Sequence, residues 1–222
     1  MDELATWLKR FNAKERMWVI ENAIGPTALS AEFCTRISNA LDLAEPIEPT
    51  AWWSIDYHID WLFAALRCRE LGASWAEADR FLVEENRGQY TYRIEDIDLV
   101  VCNGHRVFLI EAKAYGAWGS KQIESKMRRL APLAELGESQ GIEVFFVLMS
   151  PRPPQKLTYE EWRPGWLKNG SPAWIPLEAP LKRGLVINRC DEGGRLSGGG
   201  RFYKIARNVG DPIPDQQTDM TD

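Results

Sequence analysis

The chain has 222 residues, of which 45% are hydrophobic and 27% are charged, and its formal net charge is −5. This length and composition indicate one globular core with appendages and exclude a chain that is disordered throughout. The acidic balance excludes a protein whose whole surface binds nucleic acid, although it permits a local basic groove.

The sequence also indicates whether the protein spans a membrane and which kind of metal ion it could bind. No apolar run reaches the length of a membrane span, and the opening MDELATWLKRF lacks the pattern of a signal peptide. The four cysteines form no CxxC pair, so we expect reduced thiols in a cytoplasmic protein without a membrane partner. Two histidines are too few for a zinc site built on several His. A metal site must therefore use oxygen ligands, which points to Mg²⁺ or Mn²⁺.

The first third of the chain is predicted to be helical. Three stretches carry apolar residues at helical spacing, and each is followed by glycine or proline. They are residues 2–24, 30–43 and 54–71. A short helix or turn is expected at 75–80.

After residue 80 the apolar period changes from helical to extended. Residues 81–84 and 90–94 are predicted to form parts of one strand or of two. Two further strands, 96–102 and 106–113, flank Asn103-Gly104, a dipeptide typical of tight hairpin turns. Ser120 can cap a helix that runs to about residue 136, and the continuous apolar run 142–149 predicts a buried strand.

The order of these elements predicts an α/β fold with a mixed central sheet and helices on both sides. Residues 151–182 are rich in Pro and Trp and are expected to wrap the surface, before a hairpin of 183–189 and 201–206. The predicted organisation has four segments. They are a helical N-terminal extension (1–50), the core (51–150), an irregular C-terminal extension with the hairpin (151–210) and a disordered tail (211–222).

Acidic and basic residues converge on the predicted hairpin. Because side chains alternate along a strand, Glu111 and Lys113 share one face with Leu109. A two-residue loop at Asn103-Gly104 would set Asp96 opposite Glu111 and Asp98 diagonal to it. Neighbouring carboxylates repel unless a cation lies between them. They can hold Mg²⁺ with positions left for water and a phosphate oxygen, and Lys113 can orient the water or contact the phosphate.

The residues Asp98 and Glu111-Ala112-Lys113 resemble the PD-(D/E)xK (restriction-endonuclease-like) nuclease superfamily, with a spacing similar to its RecB-like branch. The resemblance covers about residues 54–149 and implies a core of helix, β-meander, helix and strand. It also implies Mg²⁺-dependent hydrolysis of phosphodiester bonds, with Gln122 on the following helix as a further catalytic residue. The proline of the motif is absent, since Ile97 precedes Asp98.

Two other sets of residues extend the candidate site. The family usually adds an acid from the preceding helix, and Asp60 is the chosen metal ligand, with Asp56 and His58 left open. An ordinary polar border of the helix is the alternative. The helix that follows the hairpin has a basic side that could contact phosphate, or that could simply be solvated. Its members are Lys121, Lys126 and Arg129.

The sequence therefore predicts a Mg²⁺- or Mn²⁺-dependent nuclease, with DNA favoured over RNA as its substrate and a homodimer left open. One alternative is an inactive nuclease-like fold that binds nucleic acid or protein. Another is a metal-dependent enzyme that acts on a different phosphate or sugar substrate. The alternative without a functional site is a surface hairpin in which Glu111 and Lys113 form a solvated ion pair.

Overall fold

The structure is a computed structural model that divides by its internal contacts into two compact units, residues 1–177 and 178–222. It describes residues 3–74, 76, 95–114, 118–155, 157, 162–168, 170–178 and 185–207. The expected strands 81–84 and 90–94, the tail 211–222 and, apart from Ala76, the expected turn 75–80 lie outside these residues.

The N-terminal segment forms two helices where the sequence predicts one over 2–24. Helix α1 spans Glu3–Phe11 and α2 spans Glu15–Ala23. The carbonyl of Leu8 accepts a hydrogen bond from the Tyr57 hydroxyl at 2.9 Å, while the Asn12 amide turns back to Lys9 at 3.3 Å. The helix ends here because a side chain from the sheet takes the carbonyl that the next turn would use.

A strand replaces the first part of the helix predicted for 54–71. Strand β1 covers Trp52–His58, and helix α4 begins only at Ile59 and ends at Glu70. Aromatic and β-branched residues favour an extended strand, and β1 pairs antiparallel with β2, which spans Asp96–Asn103. Helix α3, Ala31–Ala40, lies within the predicted 30–43, with the Ser30 hydroxyl accepting from the Phe33 amide at 3.1 Å.

The main sheet has six strands in the order β1-β2-β3-β4-β6-β5. Its first three strands are antiparallel neighbours, and β4 pairs parallel with both β3 and β6. Helix α5, Ser120–Glu138, forms the crossover between β3 and β4. The remaining strands are β2 (Asp96–Asn103), β3 (Arg106–Ala112), β4 (Glu143–Ser150), β5 (Leu167–Lys168) and β6 (Ser171–Pro176).

Two apolar clusters cover the two faces of this sheet. One joins α1, α4 and α5 to the sheet through residues such as Leu8, Leu62 and Leu130. The other packs α3 onto the opposite face, where Ile37 lies with Phe108. The predicted fold class, a mixed sheet with helices on both sides, is therefore confirmed.

The hairpin between β2 and β3 turns one residue later than predicted. Asn103 pairs with Arg106, so the loop consists of Gly104 and His105. Gly104 has a φ of +64°, a conformation that glycine adopts without strain. The pairing predicted for Asp96 and Glu111 is therefore wrong by two residues, although each side chain keeps its face.

The segment 151–182 was expected to wrap the surface, but part of it is integral to the core. Strand β6 pairs with β4, and the side chains of Trp162 and Trp166 are buried in the same cluster as α5. In the second unit, β7 (Leu185–Cys190) and β8 (Phe202–Arg207) pair antiparallel, which confirms the predicted hairpin.

Within the described part of the chain, no helix combines the length and the apolar character needed to cross a membrane.

Candidate active site

A buried ion pair lies where the end of β3 meets α5. The side chain of Glu111 is 9% exposed, and its Oε1 contacts the Nζ of Lys126, whose side chain is 7% exposed. Lys126 Nζ also donates to the backbone carbonyl of Asp96 at 2.9 Å. A helical turn brings Lys126 beside Ile123 and Leu130, which are packed in the core, so the ammonium is directed at the sheet.

Burial sets the charge state of Glu111. Loss of hydration raises the pKa of its carboxyl to about 7. Lys126 opposes that shift, while the negative charges of Asp98 and Glu95 add to it. Glu111 is therefore balanced between its protonated and ionised forms near neutral pH, and a further cation would favour the ionised form.

Asp98, the third residue of the neighbouring strand β2, lies close enough to Glu111 for its charge to act on that carboxyl group. The observed pairing runs as far as Leu99 with Ile110, and its next step sets Asp98 opposite Glu111. Asp98 Oδ2 accepts a hydrogen bond from the Ala112 amide at 2.7 Å. The side chain is half-buried, and it forms no ion pair within the described residues. The two predicted metal ligands are thus closer neighbours than the sequence indicated.

Lys113 occupies a different position from the one that strand alternation predicts. Strand β3 ends at Ala112, and the Lys113 amide donates to the Met149 carbonyl at 2.8 Å. Its Nζ lies 5.7 Å from the centroid of the Trp118 ring. The ammonium that contacts Glu111 belongs to Lys126 instead, a residue expected to lie on a phosphate-binding helix face.

Arg129 joins α5 to the first turn of α4. Its guanidinium contacts Asp60 Oδ1 at 3.2 Å and Glu95 Oε2 at 2.6 Å. Burial raises the pKa of Asp60, and Arg129 and His58 oppose this shift. Asp60 therefore has a cation partner from the protein, and Arg129 is engaged with carboxylates rather than open to solvent, with 12% of its side chain exposed.

His58 and Lys14 both contact Asp96, at the first position of β2. The His58 Nδ1 meets Asp96 Oδ1, and Lys14 Nζ donates to Oδ2 at 2.8 Å. The His58 ring packs edge-on against Trp61, with centroids 4.2 Å apart. Asp56, the other acid left open in the sequence, has a positive φ of 49° and pairs with Arg16. These contacts tie the α1–α2 segment to the strand ends that carry the candidate site.

Two predicted residues cannot be placed in full. Lys121 and Gln122 lie in the first turn of α5, but their side chains fall outside the described part of the structure. Their predicted roles therefore stay predictions.

Asp98 and Glu111 fit a magnesium or manganese ion as a pair of ligands. Both supply carboxylate oxygens, which these ions prefer, and their mutual repulsion would be relieved by a cation. Within the described residues, no group of three or more His, Cys, Asp or Glu side chains is arranged to hold a metal ion. A site here would therefore use two protein ligands and water, and Asp60 would stay with Arg129.

Glu95 and Lys126 are the residues whose role the sequence reasoning missed. Glu95 precedes β2 and shares Arg129 with Asp60. The spacing of Lys126 from Ile123 and Leu130, three and four residues away, gave a usable signal that it lies on the apolar side of α5.

Comparison with known proteins adds one distant likeness. No protein-family model matches the chain. No curated protein matches it in sequence. Among solved structures, the small subunit of the heterodimeric restriction endonuclease R.BspD6I aligns with 17% sequence identity over 64% of this chain and 70% of that one, with a TM-score of 0.24. That score is too low to establish a shared fold, so the interpretation of the site rests on its own geometry.

Proposed function

We propose that the chain is a metal-dependent nuclease of the PD-(D/E)xK type that hydrolyses phosphodiester bonds, with DNA as its expected substrate. The observation that carries the proposal is the convergence of Asp98 on β2, Glu111 on β3 and Lys126 on α5. Two carboxylates and an ammonium in a partly buried site are the elements that phosphodiester hydrolysis with a divalent ion requires.

Each residue has a separate role in this proposal. Asp98 and Glu111 would hold Mg²⁺ or Mn²⁺, which when bound supplies a positive charge and an acidified water. Lys126 is a positioning residue, because its contact with Glu111 favours the ionised carboxylate that a metal needs. Lys113, half-buried beside Trp118, is the ammonium proposed to contact the phosphate. Gln122 is proposed to help orient the reacting group.

Nuclease activity can be tested directly with the purified chain. Single-stranded, duplex and branched DNA and RNA are incubated with Mg²⁺, Mn²⁺ or EDTA. We expect cutting that requires metal and is lost in Asp98→Asn and in Glu111→Gln. Glu138→Gln is the control, because this carboxylate is exposed at the end of α5, with 58% of its side chain accessible. Cutting that persists in EDTA, or in both site variants, would contradict the proposal.

The roles of the two lysines are separated by the pH dependence of cutting. Lys126 lowers the pKa of Glu111, so Lys126→Met should move the acidic limb of the rate profile to higher pH. Lys113→Ala should lower the rate without moving that limb. Lys9→Ala, on an exposed position of α1, is the control. An unshifted profile in Lys126→Met would remove the positioning role.

A binding module without catalysis is the second candidate. The carboxylates around the site are largely matched by protein cations, as in the pairs of Asp60 and Glu95 with Arg129 and of Asp96 with Lys14. Such matching would let the fold persist without metal. Nucleic-acid binding with no cutting under any metal condition would favour this candidate.

A further inference from the structure

The β7–β8 hairpin presents an exposed surface that the candidate active site does not use. Ile187 pairs with Ile205, and the two side chains are 70% and 68% exposed. Arg189 pairs with Tyr203, and its guanidinium lies 5.8 Å from the ring centroid, with Tyr203 65% exposed. Alternation along the strands puts these four side chains on one face, which we call the ribbon face.

The charge of the hairpin is opposite to that of the chain. Residues 185–207 contain five Lys and Arg against two Asp and Glu, whereas the whole chain contains 27 against 32. Four of the basic side chains are exposed. They are Arg189, Arg195, Arg201 and Lys204. The positive charge of the hairpin does not follow from the average composition of the chain, which is acidic. Such a local basic element is suited to binding a polyanion.

The tip of the hairpin has a defined fold that orients its basic residues. Asp191 Oδ1 accepts from the Arg195 amide at 2.9 Å, so this acid is turned into the loop. The Ser197 amide donates to the Arg189 carbonyl at 3.0 Å. At Gly200 an added Cβ would lie 2.1 Å from the Cys190 carbonyl oxygen, so only glycine fits there. The backbone thus holds Arg195 and Arg201 at one end of the ribbon.

We infer that the β7–β8 hairpin is a binding element for duplex DNA that lies in the major groove. Its two strands stand about 4.8 Å apart, and six residues extend about 20 Å. The major groove of B-form DNA is about 12 Å wide and admits a two-stranded ribbon, whereas that of A-form RNA is too narrow. The exposed arginines and Lys204 would contact phosphates and base edges, and the isoleucines offer apolar contact to thymine methyl groups.

This inference deepens the proposed function, because it rests on a nucleic-acid substrate and names duplex DNA. Binding is measured with the full-length chain in EDTA, so that metal-dependent cutting cannot interfere. The probe is a short labelled DNA duplex followed by fluorescence anisotropy at several KCl concentrations. Single-stranded DNA and duplex RNA of the same sequence serve as competitors.

The two strands of the hairpin are tested by a double replacement, Arg189→Ala on the ribbon face with Lys204→Ala on the opposite face. The affinity should fall about tenfold or more at ~0.1 M salt, and the slope of log affinity against log salt should fall by about two. Arg195→Gln with Arg201→Gln is an independent second variant at the tip, with the same expected direction. Lys9→Ala with Arg152→Ala removes two exposed basic side chains of the first unit and should leave the slope unchanged.

Three results would overturn the inference. The first is that both hairpin variants bind the DNA duplex as tightly as the wild type does. The second is that single-stranded DNA or duplex RNA displaces the labelled duplex more effectively than unlabelled duplex DNA does. The third is that the control variant, Lys9→Ala with Arg152→Ala, loses as much affinity as the hairpin variants. A wild-type dimer that the hairpin variants convert to a monomer, measured by light scattering, would make the ribbon face a protein interface instead. Duplex binding lost in the hairpin variants, in a protein that cuts nothing with Mg²⁺, would retain the inference and refute the nuclease.

Discussion

Replacing Glu111 with glutamine should change how the stability of the protein depends on pH. The folded carboxyl has a pKa of about 7, against an ordinary value of 4.5. Because the folded pKa is raised, Glu111 contributes its full stability below pH 4.5 and loses it as the pH rises towards 7. At about 1.36 kcal/mol for each pKa unit, that loss amounts to roughly 3 kcal/mol.

Glu111→Gln removes this titration and keeps the side-chain volume. The free energy of unfolding of the variant, minus that of the wild type, should therefore rise by about 3 kcal/mol from pH 4.5 to pH 7 and then level off. The attraction of Lys126 for the ionised carboxylate is already contained in the folded pKa of Glu111. Replacing the carboxyl group by an amide adds only an offset that does not vary with pH. The slope of the difference, rather than its absolute value, carries the prediction.

Urea unfolding followed by tryptophan fluorescence, in EDTA, provides the measurement. The chain contains ten Trp, so the signal is adequate at each pH between 5 and 8. Glu138→Gln, at an exposed position at the end of α5, should keep the profile of the wild type. A difference that stays constant with pH, or that falls as the pH rises, would show that Glu111 is not a buried carboxyl with a raised pKa.

Three further predictions concern other parts of the chain. Mg²⁺ or Mn²⁺ should stabilise the wild type by about 2.7 kcal/mol at a hundredfold excess over Kd, and so raise its melting temperature, but should leave that of Asp98→Asn unchanged. Equal shifts of the two melting temperatures would contradict Asp98 as a metal ligand. Tyr57→Phe leaves the buried Leu8 carbonyl without its 2.9 Å hydrogen bond and should cost about 1–3 kcal/mol in urea unfolding, whereas an unchanged midpoint would exclude the Tyr57 bond as a stabilising contact. Gly200→Ala should displace the hairpin tip, because the added Cβ would lie 2.1 Å from the Cys190 carbonyl oxygen; unchanged amide chemical shifts in 185–207 would refute that geometry.

The sequence located the hairpin that carries the candidate site well, because alternation along its strands depends on residues that are neighbours. Glu111 keeps its predicted face in either register, since a shift of two residues preserves the face. The register itself could not be derived, because both Asn103-Gly104 and Gly104-His105 make two-residue loops. Here the glycine conformation and the pairing of Asn103 with Arg106 decided between them.

Strand β1 shows why local periodicity fails where the partner is distant. Ile55, Ile59 and Leu62 recur at helical spacing, so the period alone predicts a helix from residue 54. Pairing of Trp52 with Cys102, fifty residues later in the chain, converts the first part into a strand. The local preference for a helix is weak, and this tertiary contact overrides it.

Which lysine contacts Glu111 could be determined only once the packing of α5 against the sheet was known. Alternation favoured Lys113, but β3 ends before it, and the next peptide bonds to β4 instead. Lys126 could have been identified from its apolar neighbours on the helix, whereas its contact with Glu111 depends on how the crossover sets α5 against the sheet.

The parallel strand β6 has a consequence for the chain while it is being synthesised. Strand β4 is a nearly continuous apolar segment, and in the described part of the chain β6, residues 171–176, pairs with the edge that β3 leaves open. A nascent chain that has emerged as far as Ser150 therefore presents an open, hydrophobic edge until residues 171–176 have left the ribosome as well. During that interval the half-made sheet is exposed to pairing with other chains, and a chaperone would have its greatest effect.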